Sequence, residues 1–270
     1  MDKSKLKEIY LTECVKNKLS YKQVREKYNI PRGTWDYYIR QKYNFKADRR
    51  KHKAKDCFFD NIDSEIKAYL LGFLYADGYL ASDGRMGIRL QRDDEEIIRL
   101  IKTYVCPQSN IEYSNNQNIK RKPQVSIRWK SPKMYSRLMS LGFAVDKTHT
   151  PSNLFTKIPD NMKLHFLRGF TDGDGHISAY NLTNGSKRKI SICWCNGTKE
   201  ILLDIQQFIS KWSKSKLYFN DTYYTLRCDY SKEVPYLVRE LYQNAHFYLK
   251  RKQKTATDLI NYQFGNTELT

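Results

Sequence analysis

Apolar and polar positions alternate along residues 62–260 with two rhythms, one of helical period and one of strand period. Ser64 to Asp77 reads as a helix rich in apolar residues. Strand-like runs follow at Tyr79–Ala81 and Met86–Gln91, joined by the hairpin signal SDGR. A helix over Asp93–Tyr104 opens on acidic residues, which suit a helix N-terminus. Strands near Asn110–Ser114 and Gln124–Trp129 come next, and Pro132 opens a helix that Gly142 stops after Leu141. The same order then returns: helix Asp160–Asp174, strand His176–Leu182, the polar turn NGSK, strand Lys189–Cys195 and helix Lys199–Trp212. Strands Lys216–Phe219 and Tyr223–Cys228 and a helix over Lys232–Gln243 complete it. The pattern predicts an α+β chain built from two αββαββα units.

Both repeats begin with a helix that ends in the same way. LLGFLYADG spans 70–78 and LRGFTDGDG spans 167–175. Gly72 and Ala76, like Gly169 and Gly173, are four apart and so share a helical face. Gly inside a helix costs about 1 kcal/mol relative to Ala, so close packing must offset it. Pairing of the two helices through these faces would bring their C-terminal carboxylates, Asp77 and Asp174, together. That pairing is unfavourable by itself, because each acid opposes the helix dipole and the two repel. A divalent cation between them removes both penalties, and oxygen ligands suit Mg2+. Two carboxylates holding metal beside a basic surface fit phosphodiester hydrolysis. An ordinary Asp-Gly helix stop explains one such ending better than it explains two.

Composition supplies the basic surface. Lys+Arg number 48 against 29 Asp+Glu, a net charge of +19, which points to a polyanionic partner. The six cysteines form no CxxC pair, so neither zinc nor a disulfide framework is expected. Cys193 and Cys195 should share one strand face as small buried side chains. The run Ala68 to Leu80 is too short to span a bilayer, and no targeting segment is recognised, so a soluble intracellular protein is expected.

Residues 1–45 are basic and helical in pattern. Ser20 can cap a helix over LSYKQVREKYN, IPRG at 30–33 breaks it, and Thr34 can cap a second helix with Trp35, Tyr38 and Ile39 spaced for burial. This resembles a helix-turn-helix, whose second helix would present Arg32, Asp36, Tyr37, Arg40 and Gln41 to a DNA groove. Residues 46–61 read as a basic linker, with Arg49 and Arg50 able to lie along a phosphate backbone. The first repeat is placed at 62–150 and the second, with a C-terminal tail, at 151–270.

The two nine-residue segments resemble the signature of the LAGLIDADG homing endonucleases. The match lies at Leu70, Gly72, Ala76, Asp77 and Gly78, and again at Leu167, Gly169, Asp172, Asp174 and Gly175. The first segment departs at its sixth position, which is Tyr75 rather than an acid. The resemblance covers about residues 62–260 and is to the monomeric double-motif branch. It implies a motif-helix interface between the halves, a saddle-shaped antiparallel sheet from each half over a long asymmetric double-stranded DNA site, and divalent metal held by Asp77 and Asp174. It also implies polar and basic groups near the metals. Candidates are Gln91, Arg92 and Asn196 at the ends of second strands, and Lys130 and Lys232 at the ends of fourth strands. His176 reads as the first residue of its sheet more readily than as a catalytic base. DNA contacts are expected from Arg89, Gln91, Gln124, Ser126, Arg128, Lys130, Lys187, Arg188, Lys189, Tyr223, Tyr224 and Arg227. A DNA-binding regulator without catalysis and an RNA-binding intron maturase are the two other classes compatible with these features.

Overall fold

In the computed structural model, which describes residues 5–17, 19–43, 54–114, 122–181 and 188–265, the first motif is helix α4 (Glu65–Asp77) and the second is helix α7 (Lys163–Asp174). Each runs straight into a sheet strand, β1 (Gly78–Leu80) after α4 and β5 (Gly175–Asn181) after α7. The first half continues with β2 (Arg85–Gln91), α5 (Glu95–Tyr104), β3 (Ile111–Ser114), β4 (Gln124–Lys130) and α6 (Pro132–Leu141). The second half continues with β6 (Arg188–Asn196), α8 (Glu200–Ile209), β7 (Lys216–Asn220), β8 (Tyr223–Cys228) and α9 (Val234–Tyr242). The sheets are antiparallel and have the same order, β1-β2-β4-β3 and β5-β6-β8-β7. The predicted double αββαββα arrangement is therefore the observed one.

Local chemistry accounts for the boundaries. Ser131 caps α6 by accepting from the Met134 amide at 3.1 Å, Pro132 opens it, and Gly142 ends it at φ 119°, where a side chain is strained. The β1–β2 turn has Gly84 at φ 80°, with the Asp83 carboxylate accepting from the Arg85 amide at 3.0 Å. The expected NGSK turn lies outside the described residues. The helix expected over Lys199–Trp212 is shorter at both ends, and Trp212 lies in the turn beyond Ile209.

Each sheet turns its apolar face to its own helices. Met86, Ile88, Leu90, Val125, Ile127 and Trp129 are buried with Ile97, Ile98 and Ile101 of α5 and Met134, Leu138 and Leu141 of α6. In the second half Ile190, Ile192, Trp194 and Leu226 are buried with α8 and α9. Strand periodicity sends the intervening residues to the opposite, polar face.

Two readings of the chain ends need correction. The stretch assigned to a C-terminal tail contains a helix, α10 (Lys250–Phe264), with Ala256, Leu259 and Ile260 buried. Its apolar spacing is diluted by the four basic residues of KRKQK at 250–254, and the basic run dominates the sequence pattern. At the other end the chain divides into compact units at 1–50 and 51–270. Residues 54–61, inside the stretch read as linker, contribute the fully buried Phe59 to the core of the second unit.

The N-terminal unit has its own core of Leu6, Tyr10, Val24, Ile30, Trp35 and Ile39. Helix α1 (Lys5–Ile9) continues through Tyr10–Lys16, followed by α2 (Tyr21–Lys27) and α3 (Arg32–Trp35), which continues through Asp36–Lys42. Ser20 caps α2 as expected, in a capping box with Gln23. Thr34 does not cap the next helix; it lies within α3, which starts two residues earlier after Pro31. Buried Glu13 ties the unit together, accepting from Lys27 at 2.7 Å, the Tyr28 hydroxyl at 2.5 Å and Asn17 at 3.1 Å.

Candidate active site and nucleic-acid interface

The small residues of α4 and α7 set the geometry of the centre. The Cα of Gly72 faces the Phe166 carbonyl, and that of Gly169 faces the Tyr69 carbonyl. A methyl group at either position would fall inside the contact radius of backbone oxygen. Gly173 faces Ala76, and a methyl there would meet Asp77 Oδ2 at 3.2 Å. The contacts advance together along both helices, so α4 and α7 run parallel and finish side by side. Asp77 and Asp174 consequently end the two helices at one place.

The electrostatics agree with that placement. Burial and then the negative charge of Asp174 push the Asp77 carboxyl up from 3.8 to about 6. Asp174 keeps solvent access, yet the surrounding protein raises its pKa as well, against the pull of Lys147 and Lys252. The unfolded chain releases the Asp77 proton near pH 3.8 and the folded chain near 6, so folding takes up a proton between these values. Metal-free protein should therefore lose stability as pH rises through that window, by up to about 3 kcal/mol at 1.36 kcal/mol per unit. The expected result is that Asp77→Asn unfolds at a higher temperature than wild type at pH 7 in chelator and gains little at pH 4. Equal melting curves at both pH values would contradict the raised carboxyl.

Two lysines that the sequence reading did not single out complete the centre. Lys147 Nζ donates to the Tyr75 carbonyl at 2.8 Å and to the Ala76 carbonyl, the last turn of α4. Lys252 Nζ donates to the carbonyls of Thr171, Gly173 and Gly175 at 2.6, 3.2 and 2.7 Å, the last turn of α7. Each lysine satisfies carbonyls that the helix leaves unpaired and offsets the negative end of its dipole. Burial lowers both pKa values, that of Lys252 to about 8, while the two acids work against the decrease. The three carbonyls occupy all three N–H donors of an ammonium, so Lys252 is held as a fixed positive charge. No spacing in the sequence separates Lys252 from its neighbours in a basic run. The one usable signal is topological, since each lysine follows the last helix of its repeat.

The predicted second-strand and fourth-strand candidates divide. Asn196 reaches the centre: a small cavity beside Asp174 is walled by Tyr75, Lys147, Asn196 and Gly197, with the Asn196 amide 3.5 Å from the Tyr75 hydroxyl. Gln91 ends β2 on the motif side of the first sheet, opposite Gln124. Lys130 does not come to the acids. It sits at the far end of β4 opposite Arg85 and donates to the Asp83 carbonyl at 3.0 Å. Lys232 is exposed in the turn before α9. A strand rises about 3.3 Å per residue, so the far ends of β4 and β8 are too distant to serve the helix termini.

The outer faces of the two sheets carry polar residues. Arg89 is paired with Ser126, Gln91 with Gln124 and Gly87 with Arg128, all on the outer face of the first sheet. Arg128 is bonded to Glu112 at 2.6 Å. Arg92 lies instead in the turn after β2, over the Tyr113 ring at 5.2 Å. In the second sheet Tyr223 and Arg227 share the outer face, and Arg227 bonds Asp229 at 2.6 Å. Tyr224 has the other parity and packs on Phe219, with ring centroids 4.8 Å apart. His176 is an exposed sheet residue opposite Cys193. Cys193 and Cys195 do share a face, but it is this outer one, where they are half-buried rather than core residues. Their inward neighbour Trp194 takes the core position, and its indole donates to Thr171 of α7 at 2.7 Å. Arg40, Arg188 and Lys189 are described by backbone only, and Arg49, Arg50 and Lys187 lie outside the described residues. In the N-terminal unit Arg32, Tyr37 and Gln41 are exposed, and Arg32 is 3.5 Å from Asp36.

Solved structures share this architecture. The LAGLIDADG homing endonuclease I-GzeII in complex with a DNA target is 12% identical, and the match covers 74% of this chain and 92% of that one with a TM-score of 0.50. I-SmaMI bound to an uncleaved DNA target in the presence of calcium ions is 13% identical over 75% and 93% of the two chains, with a TM-score of 0.51. I-SmaMI on uncleavable DNA with a TTCT central four gives 11% identity, 77% and 94% coverage and a TM-score of 0.54. The fold is the LAGLIDADG endonuclease fold. No protein-family model matches the sequence, and no curated protein is similar to it. The likeness to these LAGLIDADG enzymes is accordingly one of backbone, and the chemistry rests on the residues named above. Among the described residues no three His, Cys, Asp or Glu side chains cluster as a complete metal cage. Asp77 and Asp174 nevertheless fit a divalent cation that shares its coordination with water and phosphate oxygen, because each presents carboxylate oxygens within reach of the other's charge. No helix among the described residues is long and apolar enough to cross a membrane.

Proposed function

We propose that the protein is a Mg2+-dependent endonuclease that cuts both strands of a long, asymmetric double-stranded DNA site, acting as a monomer whose two halves each address part of the site. The observation that carries this reading is the pair of motif helices ending together in Asp77 and Asp174, with each helix terminus held by a lysine. The solved enzymes of the same fold support it by their DNA targets and, in one case, by calcium.

Asp77 and Asp174 would hold the metal, which supplies charge stabilisation and a more acidic bound water. Lys252 keeps a fixed positive charge at the end of α7, where a phosphate oxygen would gain negative charge. Lys147 spends two donors on α4 and has a third for the cavity side, where Asn196 and Tyr75 stand. The outer sheet faces, with Arg89, Gln91, Gln124, Arg128, Tyr223 and Arg227, would lie against base edges and phosphates. The N-terminal unit would add contacts through Arg32, Tyr37, Arg40 and Gln41, and Arg49 and Arg50 would follow the phosphate backbone. Tethering such a unit raises affinity through effective concentration.

The test is a plasmid library with randomised inserts incubated with the purified chain and Mg2+. Linear product from a subset of plasmids, and none in chelator, is expected. Specific DNA retention without cleavage in any divalent metal would replace the nuclease reading with a binding one.

A further inference from the structure

We infer that Asp172 is a positioning residue for the Lys252 half of the candidate site, so that its loss slows the cutting of one DNA strand more than the other. The inference rests on the proposed function and adds an inequality between the two halves. Asp172 stands at the sixth position of the second motif, where the first motif has Tyr75.

The Asp172 side chain is fully buried and accepts three hydrogen bonds. The Tyr69 hydroxyl of α4 donates at 2.9 Å, the Tyr242 hydroxyl at the end of α9 at 2.7 Å, and the Leu249 amide at 2.7 Å. Leu249 is the residue from which α10 starts, and the Lys252 amide donates back to the Leu249 carbonyl at 2.9 Å. The buried carboxylate therefore fixes the first turn of the helix that carries Lys252. Arg168 braces the approach to that turn by donating to the Leu241 and Phe247 carbonyls at 2.9 and 2.8 Å. Arg251 forks onto Asp94 of the first half at 2.8 and 3.0 Å, which holds α10 from its outer side. With these anchors set, Lys252 Nζ meets all three carbonyls at the end of α7.

The first half is built differently. The Tyr75 hydroxyl faces Asn196, and Lys147 comes from the turn after α6. Gly197 packs closely on the Thr148 carbonyl beside that turn. Among the described residues the buried acids are Glu13, Asp94 and Asp172, and none of these anchors the Lys147 turn. A lost hydrogen-bonded anchor behind a working group costs about 10- to 100-fold in comparable sites, and here the loss falls on one half.

The experiment uses a supercoiled plasmid carrying a site that the wild type cuts, with each strand labelled separately. Asp172→Ala, Asp172→Asn, Lys252→Met and Lys147→Met are compared for strand-resolved rates and for DNA affinity. Asp172→Ala is expected to bind with unchanged affinity, accumulate nicked circles, and cut one strand about tenfold more slowly than the other. The slow strand should be the one that Lys252→Met also slows, and the one that Lys147→Met spares. Asp172→Asn keeps an acceptor for the Leu249 amide and should fall between Asp172→Ala and wild type. Equal slowing of both strands, or a slow strand shared with Lys147→Met, overturns the inference and leaves the nuclease reading intact. If Asp172→Ala does not fold, Tyr242→Phe removes one of the three donors and is read the same way, and an equal-strand result there also overturns it. A wild type that cuts no DNA overturns both readings.

Discussion

Asp77→Asn and Asp174→Asn are each expected to reduce double-strand cleavage by about a thousandfold or more, about 4 kcal/mol in barrier, while leaving DNA binding in place. Asn has nearly the volume of Asp, and both side chains stand at helix ends with room towards solvent or cavity, so the fold should survive. What is lost is the anionic oxygen pair. Asparagine offers a weaker neutral oxygen and a donor where a cation should sit. At neutral pH the metal-free Asp77 variant should even be the more stable protein, because burial and the charge of Asp174 press on Asp77. Loss of cutting joined to a gain in stability separates a working group from a structural one. The measurement is plasmid linearisation and nicking in Mg2+, beside a gel-shift titration. Cleavage at the wild-type rate by either variant would remove these acids from the chemistry.

Gly169→Ala is expected to destabilise the larger unit by about 3 kcal/mol, through overpacking at a place where nothing can yield. The added methyl would meet the Tyr69 carbonyl and lie close to the Phe73 amide, all backbone of a neighbouring helix. A clash with a flexible side chain is relieved by a rotamer change, but one with backbone requires the helices to separate. Separation would also pull apart the termini of α4 and α7, so cleavage should fall even where the variant remains folded. Gly72→Ala should behave alike, since its methyl would meet the Phe166 carbonyl. Urea unfolding of the full chain measures the effect. Variants within about 0.5 kcal/mol of wild type, the usual size of a neutral surface change, would mean that the helix contact is looser than described.

The double repeat was legible because helix and strand periods differ and because the turn chemistry is strong. Ser131, Pro132 and Gly142 bound α6 where the sequence placed it. The facing of the motif helices was legible too, since four-residue spacing of small side chains has few other uses in a soluble core. The lysines were not legible. Lys147 and Lys252 owe their places to turns and helix docking that depend on distant partners, Gly197 beside Thr148 and Asp172 beneath Leu249. Strand-end reasoning chose Lys130 and Lys232 instead, because it took the end of a fourth strand to lie near the motif. The sheet order puts those ends on the far side. Cys193 and Cys195 misled for a similar reason. Their shared face was clear, but only Trp194 between them, bonded to Thr171, shows which face is the core.

The docking of α10 also sets a time order for the protein's assembly. Both motif helices and both sheets precede Lys250 in the chain, so a ribosome releases them before α10. Lys252 reaches its carbonyls only after α10 has emerged and locked onto Asp94 and Asp172. A chain released only as far as α9 thus carries both acids without the cation that Lys252 brings to the end of α7.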